Sequence, residues 1–233
     1  MNLQDKIFCA LDFSDLNKTI DYVEVIKNHV GGIKLGLEFF CKNGPKGIEK
    51  LKKFELPIFL DLKLHDIPNT VTKAVKNLTY LEPDYLTVHL NGGKKMIEGI
   101  AEVKQNIKII GVSMLTSLNK NDLVDFGLKC NIKQYVENLV KVGSFSKIDG
   151  VVVSPKEVKE LSKKFKSLIF VTPGIRLPNE NQNDQKRVET PGTAIKNGSN
   201  ILVIGRSITN SKDPIYSIKK IIENIENELK NPN

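Results

Sequence analysis

Short apolar runs alternate along the chain with longer stretches whose apolar residues recur every three or four positions. The runs at 6–12, 32–37, 57–63, 85–90, 107–115, 148–153, 168–172 and 201–205 have the length and composition of buried strands. Each precedes a stretch with helical periodicity or helix-start residues, at about 15–29, 38–53, 69–81, 92–105, 131–144, 155–166, 190–199 and 213–229. Asp15 is placed to cap the first helix, and Asn69 or Thr70 to start the third, just past the break made by Ile67-Pro68. Eight β units each followed by an α unit predict a (β/α)8 TIM barrel, with an open doubly wound sheet as the competing arrangement. Polar residues favour the barrel. Asp12, Lys34, Asp61, Lys63, His89, Thr116, Ser154 and Arg206 stand at strand C-termini, where a barrel collects its site, and the first turn, Leu11-Asp12-Phe13-Ser14, lacks the glycines of a dinucleotide-binding fold.

At 233 residues the chain has the length of one such barrel, and no low-complexity or Gly/Pro-rich linker divides it, so a single domain over residues 1–233 is expected. It has no apolar run of about 18 residues and no charged-then-apolar leader, which points to a cytoplasmic protein without a membrane partner. The three cysteines, Cys9, Cys41 and Cys130, are too scattered for a disulfide framework or a metal cluster. The net charge of +8 calls for a test of nucleic-acid binding, but the lysines are dispersed among glutamates on helical stretches, without a basic block or interleaved aromatics. The three arginines are a different matter. Arg176, Arg187 and Arg206 all fall within a 31-residue window of a chain that otherwise uses lysine, as a planar phosphate-binding fork would require.

The most specific stretch is Ile58-Phe59-Leu60-Asp61-Leu62-Lys63-Leu64-His65-Asp66-Ile67-Pro68-Asn69-Thr70. Two-residue spacing on a strand aims Asp61 and Lys63 at the same face, and the flanking apolar residues make that face an interior. Buried opposite charges cost desolvation, so the pair needs further charges or a ligand. A lone Asp-x-Lys would be an ordinary strand-end ion pair. The longer D-x-K-x-x-D-I-P-x-T resembles the signature of the orotidine 5′-phosphate decarboxylase family, and other pieces in order add to the likeness: LDFS, KLG, LTS, TPGIR, DQ-K-R and IGRSIT. Leu177 and Asn183 depart from it, standing where Pro and Gly are usual.

The resemblance implies decarboxylation of orotidine 5′-phosphate to UMP and CO2, with no cofactor and no metal. It implies a catalytic array of Lys34, Asp61, Lys63 and Asp66, with Lys63 as the proton donor. Asp12 then binds the ribose hydroxyls and Thr116 the pyrimidine ring, while Arg176, Gln185, Gly205 and Arg206 grip the phosphate. Residues 177–189, polar and rich in Asn and Gln, have the composition of a mobile loop and are expected to act as a lid. The resemblance further implies that Asp66, Ile67 and Thr70 enter the site of a neighbouring subunit, which makes a homodimer the expected working unit. His89 is expected in a supporting position, hydrogen-bonded into the barrel top. The nearest rivals are keto-gulonate phosphate decarboxylase and hexulose phosphate synthase, relatives that share D-x-K-x-x-D but use Mg²⁺ and Glu at the second-strand position, held here by Lys34. A non-catalytic phosphate or nucleic-acid binding module is the alternative from another class.

Overall fold

The computed structural model describes residues 2–178 and 188–230. All eight apolar runs are parallel strands: β1 (Ile7–Ala10), β2 (Gly32–Gly36), β3 (Ile58–Leu64), β4 (Tyr85–His89), β5 (Lys108–Val112), β6 (Gly150–Val152), β7 (Ile169–Thr172) and β8 (Ile201–Ile204). They pair in chain order and β8 returns to β1, so the sheet closes and the open alternative is excluded. Around it lie α1 (Leu16–Ile26), α2 (Leu37–Leu51), α3 (Pro68–Leu78), α4 (Gly93–Ala101), α5 (Lys120–Asp125), α6 (Ile132–Phe145), α7 (Pro155–Lys164), α8 (Pro191–Lys196), α9 (Arg206–Thr209) and α10 (Pro214–Lys230).

Alternation along the strands sorts side chains into two cores. Cys9, Leu35, Leu60, Leu86 and Leu202 face outward and join the apolar stripes of the helices, including Val23, Phe39 and Ile221, in one continuous cluster. Phe8, Phe59, Ile110, Val171 and Ile201 face inward, with Tyr85 packed against them. Phe8 meets Phe59 and Tyr85 edge-on, at ring-centroid distances of 6.3 and 5.6 Å. This aromatic plug needs room: a Cβ at Gly32 would lie 2.3 Å from the Phe8 ring. The barrel floor is therefore filled by apolar side chains, and the polar residues sit above it.

Three expectations need correction. The fifth strand, expected to reach 115, ends at Val112. Ser113 still donates its N–H and its hydroxyl to the Val152 carbonyl, but the chain then turns, so Thr116 lies in the following loop. The third helix starts at Pro68 with Ile67 as its N-cap, placing Asn69 and Thr70 inside its first turn; proline suits that first position because no N–H is required there. The short α5, opened by a capping box between Asn119 and Asp122, and α9 were not anticipated. Asp15 caps α1 as expected, accepting the Lys18 N–H at 2.9 Å.

Candidate active site

Above the plug, three strands contribute interlocked charges. The Asp61 Oδ2 lies 2.8 Å from the Lys63 Nζ and 3.4 Å from the Lys34 Nζ, and Lys34 reaches on to the Asp12 Oδ1 at 3.3 Å. Lys34 and Asp61 are each only 9% exposed. Burial alone would push the Lys34 ammonium toward neutrality, but the Asp61 and Asp12 carboxylates outweigh it and its pKa is raised. Asp61 mirrors this: burial opposes its charge, Lys34 and Lys63 favour it, and its pKa falls below the ordinary carboxylate value. The pair is thus charged because it is coupled. Gly36 completes the arrangement, since a Cβ there would stand 3.1 Å from the Lys34 Nζ and 3.3 Å from the Asp12 Oδ1.

Regular alternation does not bring Lys63 to Asp61. Leu60 pairs with Leu86 and Leu64 with Val88, so β3 uses four residue steps where β4 uses two. Within this bulge Lys63 has φ +50°, a left-handed conformation that costs a non-glycine residue about 1–3 kcal/mol. The bulge re-aims the side chain so that its amine closes on Asp61.

The array lines a cavity of about 610 Å³ at the C-terminal mouth of the barrel. Asp12, Lys34, Asp61, Lys63, Thr116, Arg176, Gly205 and Arg206 all line it. Arg176 is buried and its Nη1 donates to the Ile175 carbonyl at 2.7 Å. The Arg176 N–H donates to the Glu189 carbonyl and the Glu189 N–H to that of Gly174, tying together the two ends of the segment expected to form the lid. Leu177 packs against the outer core. Gln185, Arg187 and Asn183 lie outside the described residues.

Residues 5–221 match the family described as orotidine 5′-phosphate decarboxylase / HUMPS. The chain belongs to that family. It is similar to the orotidine 5′-phosphate decarboxylase of Sphingopyxis alaskensis, 45% identical over 216 residues that cover 92% of this chain and 96% of the relative. The decarboxylase of Wolbachia pipientis subsp. Culex pipiens is 42% identical over 222 residues, covering 94% and 98%. Among solved structures, orotidine 5′-phosphate decarboxylase from Lactobacillus acidophilus is similar with a TM-score of 0.83 at 32% identity, over 94% of this chain and 98% of that one.

Not every residue that resemblance to the decarboxylase family singled out joins the cavity. Asp66, Ile67 and Thr70 are exposed and absent from its lining. Asp66 accepts the N–H of Ile67 at 2.6 Å and makes no ion pair among the described residues. The expectation for His89 is corrected as well. Among the described residues its buried Nδ1 has no hydrogen-bond partner, and its ring lies 5.3 Å from that of His65. Burial, then His65 and Lys63, lower its pKa against the opposing pull of Asp61. No signal in the sequence pairs these two histidines, one just past the end of β3 and the other the last residue of β4. Among the described residues no three His, Cys, Asp or Glu side chains are grouped to hold a metal ion.

Proposed function

We propose that the chain decarboxylates orotidine 5′-phosphate to UMP and CO2 as a homodimeric, single-domain cytoplasmic enzyme of pyrimidine nucleotide synthesis. The observation that carries this reading is the Lys34 ammonium lodged between Asp12 and Asp61, beside Lys63. The bond from ring carbon 6 to the carboxylate breaks, CO2 departs, and the electron pair stays on carbon 6, where no neighbouring carbonyl absorbs it. Lys63 stabilises that carbanion and gives it a proton from Nζ. Asp61 adds repulsion toward the substrate carboxylate that ends when CO2 leaves, about 4 kcal/mol for like charges about 4 Å apart at an effective dielectric near 20.

Asp12 and Lys34 receive the ribose hydroxyls, and Thr116 meets the pyrimidine. Arg176, Gln185, Gly205 and Arg206 take the phosphate, whose remote binding energy helps to organise the charges. Asp66, Ile67 and Thr70 serve the site of the second subunit, a role supported by their exposure and by their separation from this chain's own cavity.

The family also includes the HUMPS branch, so family membership alone does not select the reaction. Lys34 speaks against a Mg²⁺-dependent enediolate chemistry, because its ammonium already occupies the place between the two carboxylates that a cation would take. The reading needs neither metal nor cofactor. UMP and CO2 formation from orotidine 5′-phosphate in a chelated assay tests it. Absence of product there, with Mg²⁺-dependent turnover of a sugar phosphate, would replace it with the rival.

A further inference from the structure

We infer that Thr87 is a positioning residue for the charged array, holding the Lys63 backbone and the Asp61 carboxylate through one hydroxyl. The inference rests on the decarboxylase reading for its kinetic consequence only.

Thr87 is fully buried in the middle of β4, one step of alternation above Tyr85 on the inner face. Its Oγ1 lies 2.8 Å from the Lys63 amide nitrogen and 2.9 Å from the Asp61 Oδ1. The direction of both bonds follows from valence. An ionised carboxylate only accepts, so the single hydroxyl proton goes to Asp61 and a lone pair receives the Lys63 N–H.

Each bond answers a specific problem. The bulge takes the Lys63 N–H out of the β3–β4 ladder while its φ is +50°, so this amide needs an acceptor that no regular register supplies. With Oδ1 engaged by Thr87, Asp61 presents Oδ2 to both Lys63 and Lys34. One side chain therefore sets both the origin and the ionic partner of the amine that delivers the proton. Thr87 does not line the cavity and is remote in role from the phosphate corner. Its loss should act on the chemical step, not on ligand affinity.

Thr87→Val keeps the shape and removes the hydroxyl. We expect kcat to fall roughly 100-fold, the scale of a 1 Å misplacement, while the Kd for UMP stays within about twofold. The acid limb of the pH–rate profile should move to higher pH, because Asp61 loses a hydrogen bond that favours its charged form. Thr87→Ser should recover most of the activity. Hydrogen exchange at the Lys63 amide should accelerate in Thr87→Val and not in Thr87→Ser. If Thr87→Val does not fold, Thr87→Ser against Thr87→Ala isolates the same oxygen.

A kcat for the hydroxyl-free variant within about threefold of the parent, or an acid limb that does not move, would overturn the kinetic role, since a merely structural role lowers stability without shifting a pH profile. Unchanged Lys63 exchange would overturn the hydrogen bond itself. If the parent protein does not decarboxylate orotidine 5′-phosphate, the functional reading fails, and the amide exchange still decides whether Thr87 holds Lys63.

Discussion

Asp61 and Lys63 are bonded by groups of their own chain from β2, β3 and β4, whereas Asp66, three residues past Lys63, stands exposed and among the described residues bonds only the N–H of Ile67. Ile67 beside it is 67% exposed, a large apolar side chain outside the lining of the cavity. The first region is complete in one chain; the second has a carboxylate and an apolar side chain with nothing to serve. Burial explains the difference. Inside the barrel each charge must be matched or it would be expelled, while at the rim water solvates Asp66 until another surface displaces it. The same ten-residue stretch thus carries one half of a site for its own cavity and, in the proposed dimer, another half for a second copy.

The sharpest way to break this comparison is Lys63→Ala. Loss of the proton donor and of its charge should lower turnover by at least about 10⁴-fold while the barrel still unfolds cooperatively, as single-turnover kinetics and calorimetry would report. Near-normal turnover would remove the buried half of the scheme.

Asp66→Ala should also be nearly inactive, although it touches nothing in its own cavity. Mixing it with Lys63→Ala under conditions of subunit exchange should return roughly a quarter of the parent activity, because half the dimers are mixed and each holds one intact site. No recovery after exchange is demonstrated would confine Asp66 to its own subunit.

Arg206→Ala probes the opposite wall. It should weaken UMP by about 1.5–3 kcal/mol, the worth of a hydrogen bond to a charged group, and leave uridine unchanged by titration calorimetry. Equal losses for both ligands would move the phosphate elsewhere.

The smallest effect belongs to His89. Its lowered pKa means that below the unfolded value of about 6.5 the unfolded chain binds a proton that the folded one resists, so stability should decline as pH falls through that value and level off below the folded pKa. The groups facing it are His65, Lys63 and Asp61. His89→Gln should flatten the denaturation midpoint over that window; an unchanged slope would assign the pH dependence to other groups.

Much of this was legible in the chain alone. The eight strands and the helices following them came from apolar period and turn chemistry, both local properties, and the observed boundaries fall within four residues of those expected. Lys34, Asp61 and Lys63 were visible because a charge in an apolar run is rare enough to demand a partner. What the sequence did not contain is how strands meet. The two-step bulge in β3, the left-handed backbone of Lys63, the Thr87 hydroxyl between Lys63 and Asp61, and the approach of His65 to His89 all depend on the register between β3 and β4. Thr87 reads as an ordinary β-branched strand residue until that register is known. Local period determines which residues face inward; only closure of the barrel, a long-range packing solution shared by all eight strands, decides which of the inward side chains touch.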